Sequence, residues 1–248
     1  MTSSDRKTFR FARILVPGVA FLIGALSVGL AIPRAVAYFE VVSWRDLSQL
    51  GPASGDPLEK TEAQLGAYSR AASWLPGDAL LQQFRGRLAL LARRSDPSEN
   101  ARLNDVAAAG LAAAVAAAPD RACAWATYAY AGSRYALPRV SVEPAVRLAY
   151  ILSPPSPACA GLRLSAVLSL PQGVPDDLKA YAEADLRGLW HSQQRRQLVY
   201  IYRDAPQSTH AFFISTISDG KGDQAWMDRF VGQVTDEDAR RGQVGNER

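Results

Sequence analysis

Prolines placed directly after alanine-rich runs constrain this chain more than any other feature. Residues 112–125 read AAAVAAAPDRACAW. Strong helix formers run up to Ala118, and Pro119 ends the helix because it lacks an amide hydrogen and its ring clashes with the preceding turn. Asp120 is expected to cap the next helix with its side-chain oxygen, and Cys123, Trp125 and Tyr128 open a new apolar face. The same stop recurs at Pro76 and near Pro154. Alanine dominates, β-branched residues are sparse and period-two alternation is nearly absent, so the fold class expected is all-α, built from short helices that turn back on one another.

Reading along the chain, helical periodicity covers 58–75, with Pro76-Gly77 as the stop. Asp78 caps a second helix over 79–92, whose apolar stripe is Leu80, Leu81, Phe84, Leu88 and Leu91. Asp96-Pro97-Ser98-Glu99 has the form of an N-cap, a first-turn proline and an acidic third residue, and opens a helix that runs to Pro119. Helices are then expected over 122–137, 144–152 and 158–170. Beyond Pro171–Pro175, Asp176 and Asp177 lie at the start of a helix, where its dipole favours acid. That helix is expected to break near 191–194, with a second one continuing through Leu198, Tyr200, Ile201 and Tyr202. A last hairpin spans 209–218 and 223–234. Residues 235–248 are charged and aperiodic, as in a disordered tail.

Aligning the stops exposes a repeat. Ala71, Ala114 and Ala149 each lie five residues before a proline, and Tyr68, Leu111 and Val146 each lie three residues earlier. Gly86, Ala129 and Ser165 occupy one equivalent place in the following helices, where close approach is needed. The stops are 43 and 35 residues apart, so the repeat is degenerate, with the 95–100 loop lengthening one unit. With Trp125, Ala129, Ala114 and Pro119, this pattern over 58–170 resembles the tetratricopeptide-repeat family. Gln82 and Gly161 depart from it, standing where an aromatic is usual. The resemblance implies antiparallel helix pairs stacked into a solenoid, with a concave groove for peptides or proteins. The segment Asp185-Leu186-Arg187-Gly188-Leu189-Trp190, with the helices that follow it, is loosely similar to small membrane-anchored proteins of bacterial polysaccharide synthesis and export loci.

The N-terminus sets the compartment. Residues 14–32 form a run of 19 without charge, close to the roughly 20 that cross a bilayer. Arg6, Lys7, Arg10 and Arg13 precede it, whereas only Arg34 and Arg45 follow closely. The positive-inside rule keeps the N-terminus cytoplasmic and translocates the rest. A signal anchor over 14–37 is expected; Ala35-Val36-Ala37 would also suit a cleaved signal peptide, but the long apolar core and the break expected at Pro33-Arg34 speak against cleavage. Tyr38, Phe39 and Trp44 form an aromatic belt, or Phe39, Val42 and Leu47 pack on the first soluble helix. The resulting organisation is a basic cytoplasmic tail (1–13), the anchor (14–37), a juxtamembrane segment and linker (38–57), repeats (58–170), a helical extension (171–234) and the tail (235–248).

Chemistry is hard to find. With 48% apolar and 21% charged residues and a net charge of +4, the chain can bury a core, and its cations are scattered in pairs without the basic, aromatic-interleaved stripe of a nucleic-acid binder. His191 and His210 lack companion ligands for a metal site; His191 suits a helix C-terminus. No phosphate-cradling loop, metalloprotease motif or nucleophile elbow occurs. No catalytic residue, metal, cofactor, nucleic-acid or small-molecule partner is therefore expected. Cys123 and Cys159 share an Ala-Cys-Ala context near two helix starts. They form a disulfide if the domain is periplasmic, or each is a small core residue. Trp74, Trp125, Trp190 and Trp226 are expected mostly in the core, and Tyr130, Arg134 and Tyr135 are the groove candidates, since Tyr and Arg are enriched at binding hot spots. The function expected is a non-enzymatic scaffold or adaptor in the bacterial inner membrane, single-pass, with a periplasmic domain that binds a protein partner of an envelope complex for polysaccharide assembly or export. The alternative is an accessory subunit that contacts another membrane complex through the transmembrane helix.

Overall fold

The computed structural model describes residues 3–42, 58–93, 96–153, 159–192, 195–217, 227–233 and 236. Among them the chain is helical, without a strand. Its elements are α1 (Ser3–Val41), α2 (Leu58–Trp74), α3 (Ala79–Leu91), α4 (Pro97–Ala117), α5 (Ala122–Tyr135), α6 (Val142–Leu152), α7 (Ala160–Leu168), α8 (Asp176–His191), α9 (Arg195–Asp204), a 3₁₀ turn (Gln207–Thr209) and α10 (His210–Ile217). Residues 227–233 are also helical. The linker at 51–57, Trp44, Leu47, Trp226 and the expected disordered tail lie outside the described residues, apart from residue 236.

Each helix packs on the next, from α1 on α2 through to α7 on α8; α5 also meets α7, α7 meets α9, and α8 meets α10. The repeat positions make the core. Tyr68, Leu111 and Val146 are buried, as are Ala71, Ala114 and Ala149. Gly86 permits the tightest of these crossings: an added Cβ would stand 2.7 Å from Leu111 Cγ, and one on Gly110 would stand 3.0 Å from the Gln82 carbonyl. The backbones of α3 and α4 therefore meet almost directly. Toward the C-terminus the core grows larger and joins Tyr150, Leu164, Leu168, Leu186, Leu189, Tyr202 and Phe213.

Helix α1 has 39 residues, roughly 58 Å at about 1.5 Å per residue. No break occurs at Pro33-Arg34. A proline within such a helix is tolerated in an apolar span more readily than in a soluble one. Phe21–Val41 is long and apolar enough to cross a membrane, and Phe21, Leu22, Ile23, Leu26, Val28, Leu30 and Ile32 are all exposed. Within it the Ser27 hydroxyl donates to the Ile23 carbonyl at 2.8 Å, so its polarity is satisfied inside the helix. The last turns dock on the domain through Ala37 and Val41, which join Tyr68, Ala71, Ala72, Leu81 and Leu88. Phe39 and Val42, the packing residues expected from sequence, are exposed instead. The contact stripe runs at a helical spacing through 33, 36–37 and 40–41, one residue out of phase with them.

Caps follow the sequence at two starts and depart from it at a third. The Asp78 carboxylate accepts from the Leu80 and Leu81 amides, and Asp96 accepts from Ser98 with Pro97 in the first turn. Glu99 turns outward to Arg102. At α5 the N-cap is Arg121 and no side chain caps the helix, so Asp120 does not serve there. The Trp125 indole N–H instead donates to the Pro119 carbonyl at 2.8 Å. Helix α5 ends two residues early, with Ala136 in the left-handed region at φ 48°. Helix α6 starts at Val142, ahead of Pro144, which occupies its first turn without needing a donor.

Candidate partner-binding surface

The candidate groove residues lie on the C-terminal half of α5. The Tyr130 and Tyr135 rings meet edge to face with centroids 6.5 Å apart. Helix α3 supplies the adjoining wall: Gln83 donates to the Thr127 hydroxyl at 3.0 Å, and the Arg93 guanidinium stands 5.0 Å over the Tyr135 ring. From the other side α9 brings Asp204, which pairs with Arg134 at 3.1 Å and with its neighbour Arg203 at 3.0 Å. Arg203 in turn lies 5.2 Å over Tyr200. Burial pushes the Arg87 pKa down and the Tyr130 pKa up, and each lies within the other's field. Residues from three helices far apart in sequence thus assemble one Arg- and Tyr-rich surface. Arg134 is half exposed in its ion pair, so that pair contributes at most about 1 kcal/mol and can be given up to a partner.

Tyr130, Arg134 and Tyr135 are the groove candidates expected from sequence; Arg87, Arg93, Arg203 and Asp204 beside them are not, because nothing local marks them as neighbours. A second concavity of about 640 Å³ opens between α2, α3 and α4, lined by Glu62, Ser69, Arg85, Glu99 and Arg102 among others. Its charges are mixed in sign, and Glu99 and Arg102 already pair with each other at 2.6 Å.

Cys123 and Cys159 stand in a disulfide, with Cα atoms 5.4 Å apart. Beside it lies a feature not anticipated from sequence. Arg163 and Asp185 form a two-pronged ion pair at 2.9 and 2.7 Å, their side chains 0% and 1% exposed. Arg163 also donates to the Ser153 carbonyl at 3.2 Å, lies near Cys159 Sγ, and stands 5.1 Å over the Tyr150 ring. Burial first, and then the Asp185 charge, pushes the Tyr150 hydroxyl pKa strongly upward. Asp185 belongs to the segment that suggested polysaccharide loci; here it neutralises a buried cation.

The remaining polar candidates are structural. His210 points Nε2 at the Tyr202 and Ala205 carbonyls, 3.1 and 3.3 Å away, so that nitrogen carries the proton, and its ring stacks on Tyr202 at 4.0 Å. His191 ends α8. Asp177 pairs with Arg147 of α6, which also holds Glu143. Trp125 and Trp190 pack at the edge of the core, whereas Trp74, expected inside, is 50% exposed. Among the described residues no three His, Cys, Asp or Glu side chains are grouped to hold a metal ion. Comparison with known protein families, curated proteins and solved structures finds no match.

Proposed function

We propose that this chain is a non-enzymatic scaffold or adaptor, held in a membrane by α1, whose tetratricopeptide-like helical domain binds a protein partner. The observation that carries this reading is the convergence of Tyr130, Tyr135, Arg87, Arg93 and Arg134 on one surface from α3, the loop after it and α5. Arg and Tyr dominate binding hot spots because they combine broad apolar contact with charged or hydroxyl donors. Asp204 already holds Arg134 and Arg203, and an acidic segment of the partner would take its place on Arg134. The domain lies in the bacterial periplasm: the basic residues before the apolar run favour a cytoplasmic N-terminus, and a disulfide suits an oxidising compartment. The process is assembly or export of envelope polysaccharide, a proposal that rests on the 185–190 segment alone.

A photo-crosslinking side chain placed at Tyr135 in the membrane-embedded chain tests the groove. One protein adduct is expected, lost when Arg93 and Arg134 are reversed to Glu. Adducts that form only from Leu26 on α1 would support the accessory-subunit alternative instead. A C-terminal alkaline phosphatase fusion is expected to be active; an inactive one places the domain in the cytoplasm.

A further inference from the structure

We propose that the turn between α2 and α3, residues 73–80, rests in the surface of the bilayer that α1 crosses, giving the domain a second membrane contact beside its anchor. The inference rests on α1 being a membrane span. Two bonds fix the direction of α2 against α1: Arg70 pairs with Glu40 at 2.9 Å, and the Tyr38 hydroxyl donates to Asp78 at 2.8 Å. As residue numbers fall along α1 they rise along α2, so α2 runs back toward the span. One helical turn beyond Arg70, about 6 Å along the axis, brings Trp74 level with residue 36 of α1.

The apolar stretch reaches Val41 by composition, but the part of it open to lipid on every face ends earlier. Residues 21–32 of α1 are exposed, and the next residue, Pro33, is partly covered, followed by Val36 and Ala37. The domain therefore begins where the uncharged run stops, and the α2–α3 turn projects beside that boundary. The surface it presents there suits lipid. From Ala71 to Phe84 the only charged residue is Asp78, whose carboxylate is occupied by the Leu80 and Leu81 amides and Tyr38. Trp74 is 50% exposed, Leu80 38%, and Phe39 on α1 80%, and Pro76 and Gly77 are exposed between them. A Trp with aliphatic neighbours and no free charge is the composition of an interfacial contact. The α4–α5 turn, by contrast, exposes Asp120 and Arg121 and belongs in water.

Depth measurement on the full chain in phosphatidylethanolamine–phosphatidylglycerol vesicles tests this. Both native cysteines are in the disulfide, so a nitroxide can be placed on Gly77→Cys, where an added Cβ meets nothing within 4 Å. Leu26→Cys and Asp120→Cys serve as references. Leu26 is expected to collide with oxygen far more than with a water-soluble nickel chelate, and Asp120 the reverse. Gly77 is expected at an interfacial depth, roughly 5–10 Å into the headgroup boundary, and to shift toward the Asp120 value when Trp74 and Leu80 are both changed to Ser. A Gly77 label matching Asp120 while Leu26 reports lipid overturns the inference and leaves the span intact. An aqueous Leu26 overturns both.

Discussion

The α3/α4 and α7/α8 hairpins are two pairs of neighbouring helices held together by opposite means. In α3/α4 the contact is subtractive: Gly86 and Gly110 remove side chains so that backbones meet. In α7/α8 it is additive: Arg163 and Asp185 fill the interface with a buried, doubly hydrogen-bonded ion pair, and a disulfide ties the start of α7 to α5. What the junctions α2–α3, α4–α5 and α6–α7 share is subtler. Gln82 donates to the Pro76 carbonyl at 3.1 Å, Trp125 donates to that of Pro119, and Arg163 donates to that of Ser153. Each junction satisfies a carbonyl freed by the helix stop, using whichever long donor the next helix offers. The contact recurs at all three junctions while the residue that makes it changes.

The ion pair gives the largest contrast. Asp185→Ala leaves a guanidinium buried without its counter-charge and is expected to cost about 3–5 kcal/mol in denaturant unfolding. Replacing both partners with Arg163→Met and Asp185→Leu should recover most of that loss, since apolar residues of similar volume need no desolvation. If the double variant is as unstable as the single one, the pair is doing something that packing cannot replace. Opening the disulfide by Cys123→Ser with Cys159→Ser comes next. The bond closes a loop with a sequence separation of 36, for which chain entropy gives about 3–4 kcal/mol. Reductant should lower the urea midpoint of the native protein by the same amount and leave the double-serine variant unmoved.

The subtractive hairpin should fail in the other direction. Gly110→Ala brings a methyl group against the backbone of Gln82 and Gly86, neither of which can move as a side chain does. A net loss of about 1–2 kcal/mol is expected, overpacking outweighing the helix-propensity gain. At Gly161 the three atoms nearest an added Cβ all belong to the amide end of the exposed Gln197 side chain, which can swing aside, so Gly161→Ala should be neutral or stabilising by up to about 1 kcal/mol. Thermal unfolding of the two variants should therefore separate in sign. A destabilised Gly161→Ala would mean that α7 approaches α9 as closely as α3 approaches α4.

What could be read from the amino acids follows the range of each interaction. Helix stops and the Asp78 and Asp96 caps depend on residues within a turn of one another, and the buried alanines before each proline repeat at a fixed offset, so both were legible. The Arg163–Asp185 pair spans 22 residues. On its own helix each partner looks like one more solvated charge, and only the packed fold reveals that water is excluded. Asp204 beside Arg134 is likewise a pairing of residues far apart in sequence, though that pair stays half exposed. The phase of α1 on the domain escaped for another reason: Phe39 offers the most apolar area, yet the face that docks on Tyr68 and Ala71 carries the small Ala37 together with Val41, while Val42, the same residue type as Val41, lies on the exposed side. Helical phase, and not residue type, separates the two valines.

The smallest expected effect tests whether a motif means the same thing twice. Asp78 and Asp120 each follow a proline stop by one or two residues, and sequence rules treat them alike. Asp78 accepts two amide hydrogens at the start of α3, so Asp78→Ala should lose about 1 kcal/mol. Asp120 caps nothing, the N-cap of α5 being Arg121, and Asp120→Ala should stay within about 0.5 kcal/mol of the native chain. Equal losses would mean that α5 keeps a cap the structure does not display. Unequal losses would show that α5 starts without a side-chain acceptor for its first amides, where α3 relies on one.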